Sequence, residues 1–139
     1  MDAIFRMLLL FALWTPLEVG ARVTWYGGRD VYLGKRHAAS WNGETPAGFP
    51  EVVTTSALGC AAPYWIPFGS VVRLTRWDGE REYRAYAIVV DRTASGETWD
   101  VWPAVAKDLG FGPSFGKEDR GAVNAVIEIY GKTEVAWTH

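Results

Sequence analysis

Val89-Val90-Asp91-Arg92-Thr93-Ala94-Ser95-Gly96-Glu97-Thr98-Trp99-Asp100-Val101-Trp102-Pro103-Ala104-Val105-Ala106-Lys107-Asp108-Leu109-Gly110 is the stretch on which the reading of this chain turns. An apolar strand, Tyr86 to Val90, runs into Asp91. A polar loop follows. Asp100 then stands just ahead of a helical turn, Pro103 to Leu109, that proline is suited to start and Gly110 to stop. Two carboxylates therefore sit at opposite ends of one short loop. That suits acid/base chemistry. It suits structure equally: an Asp ahead of a helix caps it or complements its dipole, and Asp91-Arg92 reads as a solvated turn.

Working outward, Val71 to Arg76 sets Val72 and Leu74 on one face against Arg73 and Thr75 on the other. Asp78-Gly79 is a hairpin signal, and Arg81 to Val90 is the returning strand. Pro63 to Pro67 is a proline-bounded aromatic stretch, and Pro67-Phe68-Gly69-Ser70 turns into the next strand. Val52 to Thr55 is strand-like. Arg29 to Phe49 has many turn residues and reads as a long surface loop, a feature often tied to function. Val23 to Tyr26 is a first strand closed by Gly27-Gly28. On the other side, Phe111 to Gly121 is a loop, Ala122 to Tyr130 alternates as a last strand, and Lys132 to His139 is a tail. Several short strands, many turns and one short helix predict a mostly β barrel.

The 139 residues, 49% hydrophobic and 22% charged, suit one domain with a real core. A formal net charge of −2 carries no basic footprint, so nucleic acid is not an expected partner. Eight Trp exceed what filling a core of this size requires and leave room for a stacking surface. Cys60 is the only cysteine, so no internal disulfide forms, and a buried, inert thiol is expected. With His37 and His139 as the only histidines, nucleophilic catalysis has poor support. No His/Cys pair has zinc spacing and no glycine-rich phosphate loop joins a strand to a helix, so neither a metal nor a cofactor is expected.

The first residues resemble a secretory signal. Met7 to Trp14 is an apolar run of eight, shorter than the ~20 a membrane span needs. Pro16 breaks it, and Val19-Gly20-Ala21 has the small residues of a cleavage site. The expected organisation is a signal peptide over 1–21, a barrel domain over 22–131 and a tail over 132–139. The product would be secreted, periplasmic or extracellular, a monomer without stable membrane insertion once the signal is removed.

The order of motifs resembles the RlpA-like (rare lipoprotein A) family. That family has a strand ending W-Y-G, as in Trp25-Tyr26-Gly27, and a T-A-S-G-like element, as in Thr45-Pro46-Ala47-Gly48. Its A-A-H-x-x-L-P-F-G-T segment is similar to Ala61 through Ser70, its V-x-D-R to Val89 through Arg92, and its I-D-L-S-P-x-A-A-x-x-L-G helix to Trp99 through Gly110. The resemblance spans roughly Val23 to Gly131 and extends more distantly to expansins. It implies a six-stranded double-psi β-barrel with one short helix and long loops. It also implies work on peptidoglycan or another cell-wall glycan, by lytic transglycosylase-like cleavage or, as in expansins, by noncatalytic binding and wall loosening.

Glycosidic cleavage needs an acid at the leaving oxygen and negative charge near the sugar ring. In a lytic transglycosylase the muramyl C6 hydroxyl closes on C1, so one carboxyl serves as acid and then as base. The resemblance gives that role to Asp100, with Asp91 as ionised partner held by Arg92 or Thr93. The apolar flanks of Asp100 would keep it protonated. Tyr26, Trp65, Trp99, Trp102 and Arg92 are the substrate-binding candidates, with the tryptophans either a saccharide platform or core. Two departures bear on catalysis. Pro63 stands where the family has His, and Trp102 where it has Ser.

Overall fold

The computed structural model describes residues 17–25, 49–50, 53–93, 96–112 and 121–132. Among them six strands form: β1 (Leu17–Trp25), β2 (Gly59–Ala62), β3 (Ser70–Trp77), β4 (Glu82–Arg92), β5 (Thr98–Val101) and β6 (Ala122–Lys132). One helix among the described residues, α1 (Pro103–Asp108), lies between β5 and β6. The strands close into a barrel in the order β1-β5-β2-β4-β3-β6, so the expected mostly β, six-stranded barrel with one short helix is the fold. The β1/β5 and β2/β4 neighbours run parallel and the other four pairs antiparallel. Parallel neighbours need crossover connections, so this barrel is not a simple meander. No helix among the described residues is long and apolar enough to cross a membrane.

Alternation explains the core. On β3 Val72 and Leu74 point in, as do Ala85, Ala87 and Val89 on β4 and Ala125, Ile127 and Ile129 on β6. They meet Val23, Trp99, Val101, the helix residues Val105 and Ala106, and Leu109 at the end of the helix. A second cluster lies on the outer side of β2 and β4, where Phe49, Val53 and Trp102 cover Ala61, Ile88 and Val90. β4 is thus buried on both faces at Ile88 to Val90, which is why it reads as a continuous apolar run.

The β3–β4 hairpin forms where Asp78-Gly79 predicts it. Gly79 takes φ 102°, and the Asp78 carboxylate accepts the Glu80 and Arg81 backbone N–H groups at 2.8 and 2.9 Å. These two bonds hold Asp78 below the usual carboxylate range. Helix α1 begins at Pro103 and stops as predicted. Gly110, at φ 73°, donates to the Lys107 carbonyl, and Phe111 donates to that of Ala106, both at 3.0 Å. That pair of bonds is the glycine-terminated helix stop.

Four strand readings need correction. The first strand begins at Leu17 rather than Val23, because Leu17 to Ala21 pairs with Ile129 to Ala125 of β6. The expected processing point after Ala21 therefore falls inside β1. Val53-Thr54 forms no strand and Thr55 lies in a bend; the apolarity there reflects burial of Val53 in the outer cluster. The missed strand is Gly59–Ala62, which has no β-branched residue and is buried throughout. Thr98–Val101 is likewise a strand, not the end of a loop. Tyr26, nearly all of the Arg29 to Phe49 loop and most of the Phe111 to Gly121 loop lie outside the described residues, while Lys132, assigned to the tail, ends β6.

Candidate functional site

Asp91 and Asp100 come together through strand register, not through the ends of a loop. Ala61 on β2 pairs with Asp91 on β4 and with Asp100 on β5, and Asp100 pairs in turn with Thr24 on β1. Directly paired residues share a face, so Asp91, Ala61, Asp100 and Thr24 form one row across four strands. A bulge makes this possible. Cys60 pairs with Val89 but Ala61 pairs with Asp91, leaving Val90 as an extra residue. Simple alternation from Val89 would turn Asp91 into the barrel; the extra residue re-aims it. The backbones of the two acids stand two strand spacings apart, about 10 Å.

Their surroundings differ. Asp91 is 1% exposed and its Oδ1 accepts the Arg92 backbone N–H at 2.8 Å. Asp100 is half-buried, and its Oδ1 accepts the Thr24 hydroxyl at 3.0 Å. Asp100 does not cap α1. The N-cap residue is Trp102, whose side chain makes no capping bond. Beneath the row, burial pushes the Cys60 thiol well above its ordinary pKa, and the charges of Asp100 and then Asp91 push it further. Cys60 is thus buried, as expected of it.

Arg92 does not turn toward solvent as a free loop cation. Its guanidinium lies 3.9 Å from the Phe68 ring centroid and NH1 donates to the Pro63 carbonyl at 3.2 Å. Pro63, in the position where the resemblance expects His, is buried.

Of the tryptophans, Trp99 and Trp102 are core and present no face to a saccharide, being 1% and 0% exposed. The Trp102 indole packs 5.5 Å from the Phe49 ring and over Gly59, where a Cβ would come within 2.6 Å of it. Packing against this glycine is what the large aromatic gains in place of a capping Ser. Trp65 differs. It is 43% exposed on the turn between β2 and β3, which is anchored by the buried Ile66 and by bonds from Ile66 N to Pro63 O and Ser70 N to Pro67 O.

Two open grooves flank β1 and share Gly20, Ala21 and Arg22. One, of about 430 Å³, runs over β5 to Pro63 and Trp65 and includes Glu97 and Thr98. The other, of about 490 Å³, runs over β6 and β3 to Trp77 and includes Asn124, Val126 and Arg76. Gly20 presents no side chain and has open space above it, so the strand between the two grooves is low at that point. Trp77 is 65% exposed. Neither groove is lined by Asp91 or Asp100. Trp77, Arg22 and Arg76 were not foreseen as site residues, although strand parity signals Trp77: it falls on the outward side with Arg73 and Thr75. Among the described residues no group of three His, Cys, Asp or Glu side chains comes together to hold a metal ion.

No family model matches this chain, and no curated protein matches it. Ten solved chains match. One of them, the Streptomyces papain inhibitor (SPI), is similar over 83% of this chain and 96% of its own, at 15% identity and a TM-score of 0.49.

Proposed function

We propose that this protein is a noncatalytic polysaccharide-binding module of the kind its expansin-like resemblance implies. It holds a cell-wall glycan, peptidoglycan being the first candidate, in the cleft that crosses β1, and it works as a secreted protein that keeps β1 from Leu17 onward. The observation that carries this reading is the pair of exposed indoles, Trp65 and Trp77, each lining one of two open grooves that meet the same β1 residues, Gly20, Ala21 and Arg22. Flat aromatic faces spaced along an open channel suit a chain of sugar rings, and the small floor lets the polymer lie close. Retention on insoluble sacculi, chitin and cellulose tests it. Trp65→Ala and Trp77→Ala should each weaken retention by about 0.5–1.5 kcal/mol, as loss of one stacking face does. Undiminished retention in the double variant would sink the reading.

The cleavage reading keeps one supporting observation. Asp100 is only half-buried and has a hydroxyl partner in Thr24, so a general acid at that position retains a route to solvent. Asp91, covered and held by the Arg92 N–H, would act only through its charge. Release of anhydromuropeptides from sacculi, lost in Asp100→Asn with the fold intact, would move the assignment to a lytic transglycosylase. Binding without release keeps it with the module.

A further inference from the structure

The cleft is electrically uneven, and its Trp77 arm contains an arginine whose donors the fold leaves incompletely satisfied. Arg76 follows the inward parity of Val72 and Leu74 on β3 and is 8% exposed. Its NH1 nitrogen is buried without a hydrogen-bond partner. The guanidinium lies 4.9 Å from the Tyr83 ring centroid, a contact that stabilises the cation but satisfies its N–H groups poorly. Arg81 lies over the same ring at 4.4 Å, adding a second positive charge nearby. The Asp78 carboxylate feels the charge of Arg76, but it is bonded to the Glu80 and Arg81 backbone N–H groups.

An inward-facing residue reaches an outer groove here because the sheet opens. The β3–β6 ladder ends at Thr75↔Val126, yet β3 continues to Trp77 and β6 starts at Ala122. Beyond that rung the strands part, and Arg76 joins Trp77, Arg22 and Asn124 in lining the groove. Arg22 and Asn124 are paired across β1 and β6 and both are exposed. The Trp65 arm, in contrast, carries the carboxylate of Glu97.

We propose that the Trp77 arm is a carboxylate-binding subsite that takes a sugar acid. The ring lies against Trp77 over the Gly20 floor, and the carboxylate faces the Arg76 guanidinium with Arg22 and Asn124 beside it. An arginine fork matches a carboxylate with two parallel N–H···O bonds, and a donor left unmade in a buried setting is the one whose pairing gains most. The inference rests on the glycan-binding reading for the ring, while the carboxylate preference is its own claim.

Amide-shift NMR on the ¹⁵N-labelled full chain, titrated with D-glucuronate, D-glucose and acetate, tests it. Glucuronate should bind about tenfold more tightly than either of the others, the size expected of one charged hydrogen-bonded contact, with shifts centred on Gly20, Asn124 and Val126. Arg76→Gln and Arg22→Gln should each remove most of that advantage, bringing glucuronate close to glucose in affinity. Should Arg76→Gln fail to fold, Arg22→Gln, at an exposed position, carries the same test. Equal affinity for glucuronate and glucose, or shifts confined to other strands, overturns the subsite. Retention on neutral polymers without a glucuronate preference refutes the subsite alone; a glucuronate preference without polymer retention refutes the module and leaves the subsite standing.

Discussion

Adding a single methyl group at position 59 tests whether Trp102 is a packing element. A Cβ built on Gly59 meets Cδ2 and Cε2 of the Trp102 indole at 2.6 Å and Cε3 at 2.9 Å. Ordinary carbon contacts are about 3.5–4.0 Å, so roughly 1 Å of movement is required. The indole cannot swing away freely, because Phe49 tilts against it and Ala61, Ile88 and Val90 lie beneath the same cluster. The β2 backbone is equally constrained, paired with β4 on one side and β5 on the other. Gly59→Ala should therefore destabilise by about 1–3 kcal/mol through overpacking. Trp102→Ala empties the cluster and should cost about 3–5 kcal/mol. The two effects are linked: without the indole the new methyl has room and fills part of the void. The double variant should be more stable than the sum of the single changes predicts, by about 1–3 kcal/mol. Urea unfolding followed by far-UV circular dichroism measures all four corners of the cycle without relying on the indole signal. Strict additivity, or a Trp102→Ala protein of unchanged stability, would refute the packing account and return Trp102 to the candidates for ligand contact.

Three further outcomes are expected. Glu128 is held below its ordinary pKa of 4.5 by bonds from Arg73 and Tyr130, so it contributes stability above that value that is lost as pH falls through its folded-state pKa; in acid-unfolding curves Glu128→Gln should be less stable at neutral pH and show a shallower acid limb, whereas an identical limb contradicts the assignment. A chain beginning at Arg22 loses five of the eight β1–β6 pairs and, at about 0.5–1.5 kcal/mol per lost backbone hydrogen bond, should unfold at a clearly lower temperature than one beginning at Leu17, while equal midpoints would remove Leu17–Ala21 from the barrel. Iodoacetamide should leave Cys60 unmodified in the native protein even above the ordinary thiol pKa of about 8.5 and label it fully in urea; native-state labelling at the unfolded rate would contradict its burial between the strands.

Much of the barrel was legible because its periodicity is local. The alternation of Val72 and Leu74, the Asp78-Gly79 turn, the apolar run before Asp91 and the Pro103 to Gly110 helix all fold as their residue types dictate. What escaped was set by neighbours distant in sequence. Gly59-Cys60-Ala61-Ala62 has weak intrinsic strand preference and becomes a strand because β4 and β5 enclose it and because Trp102 demands a glycine at its start. Asp91 and Asp100 are visible in sequence as a pair across a loop, but the row they form is not, since the bulge at Val90 and the central place of Ala61 exist only in the register. Trp77 needed only two more steps of the alternation already seen in β3, with Arg76 inward and Trp77 outward. The splay that lets them share a groove needed the partner strand.

The first strand and the last lie side by side, Leu17 opposite Ile129 and Thr24 opposite Ala122. Closure of the barrel thus joins segments roughly a hundred residues apart, among the most distant contacts the chain can make. Such pairing is slow, because the loop-closure entropy is met before the contact rewards it. During synthesis β6 emerges after the other five described strands, so β1 waits with one edge open until it does, and the unpaired edge is exposed to other chains meanwhile. The same adjacency offers a remedy. A short linker joining Lys132 to Leu17, with new ends opened at the exposed Asp78-Gly79 turn, would place β1 directly after β6 and turn this long-range pairing into a local hairpin.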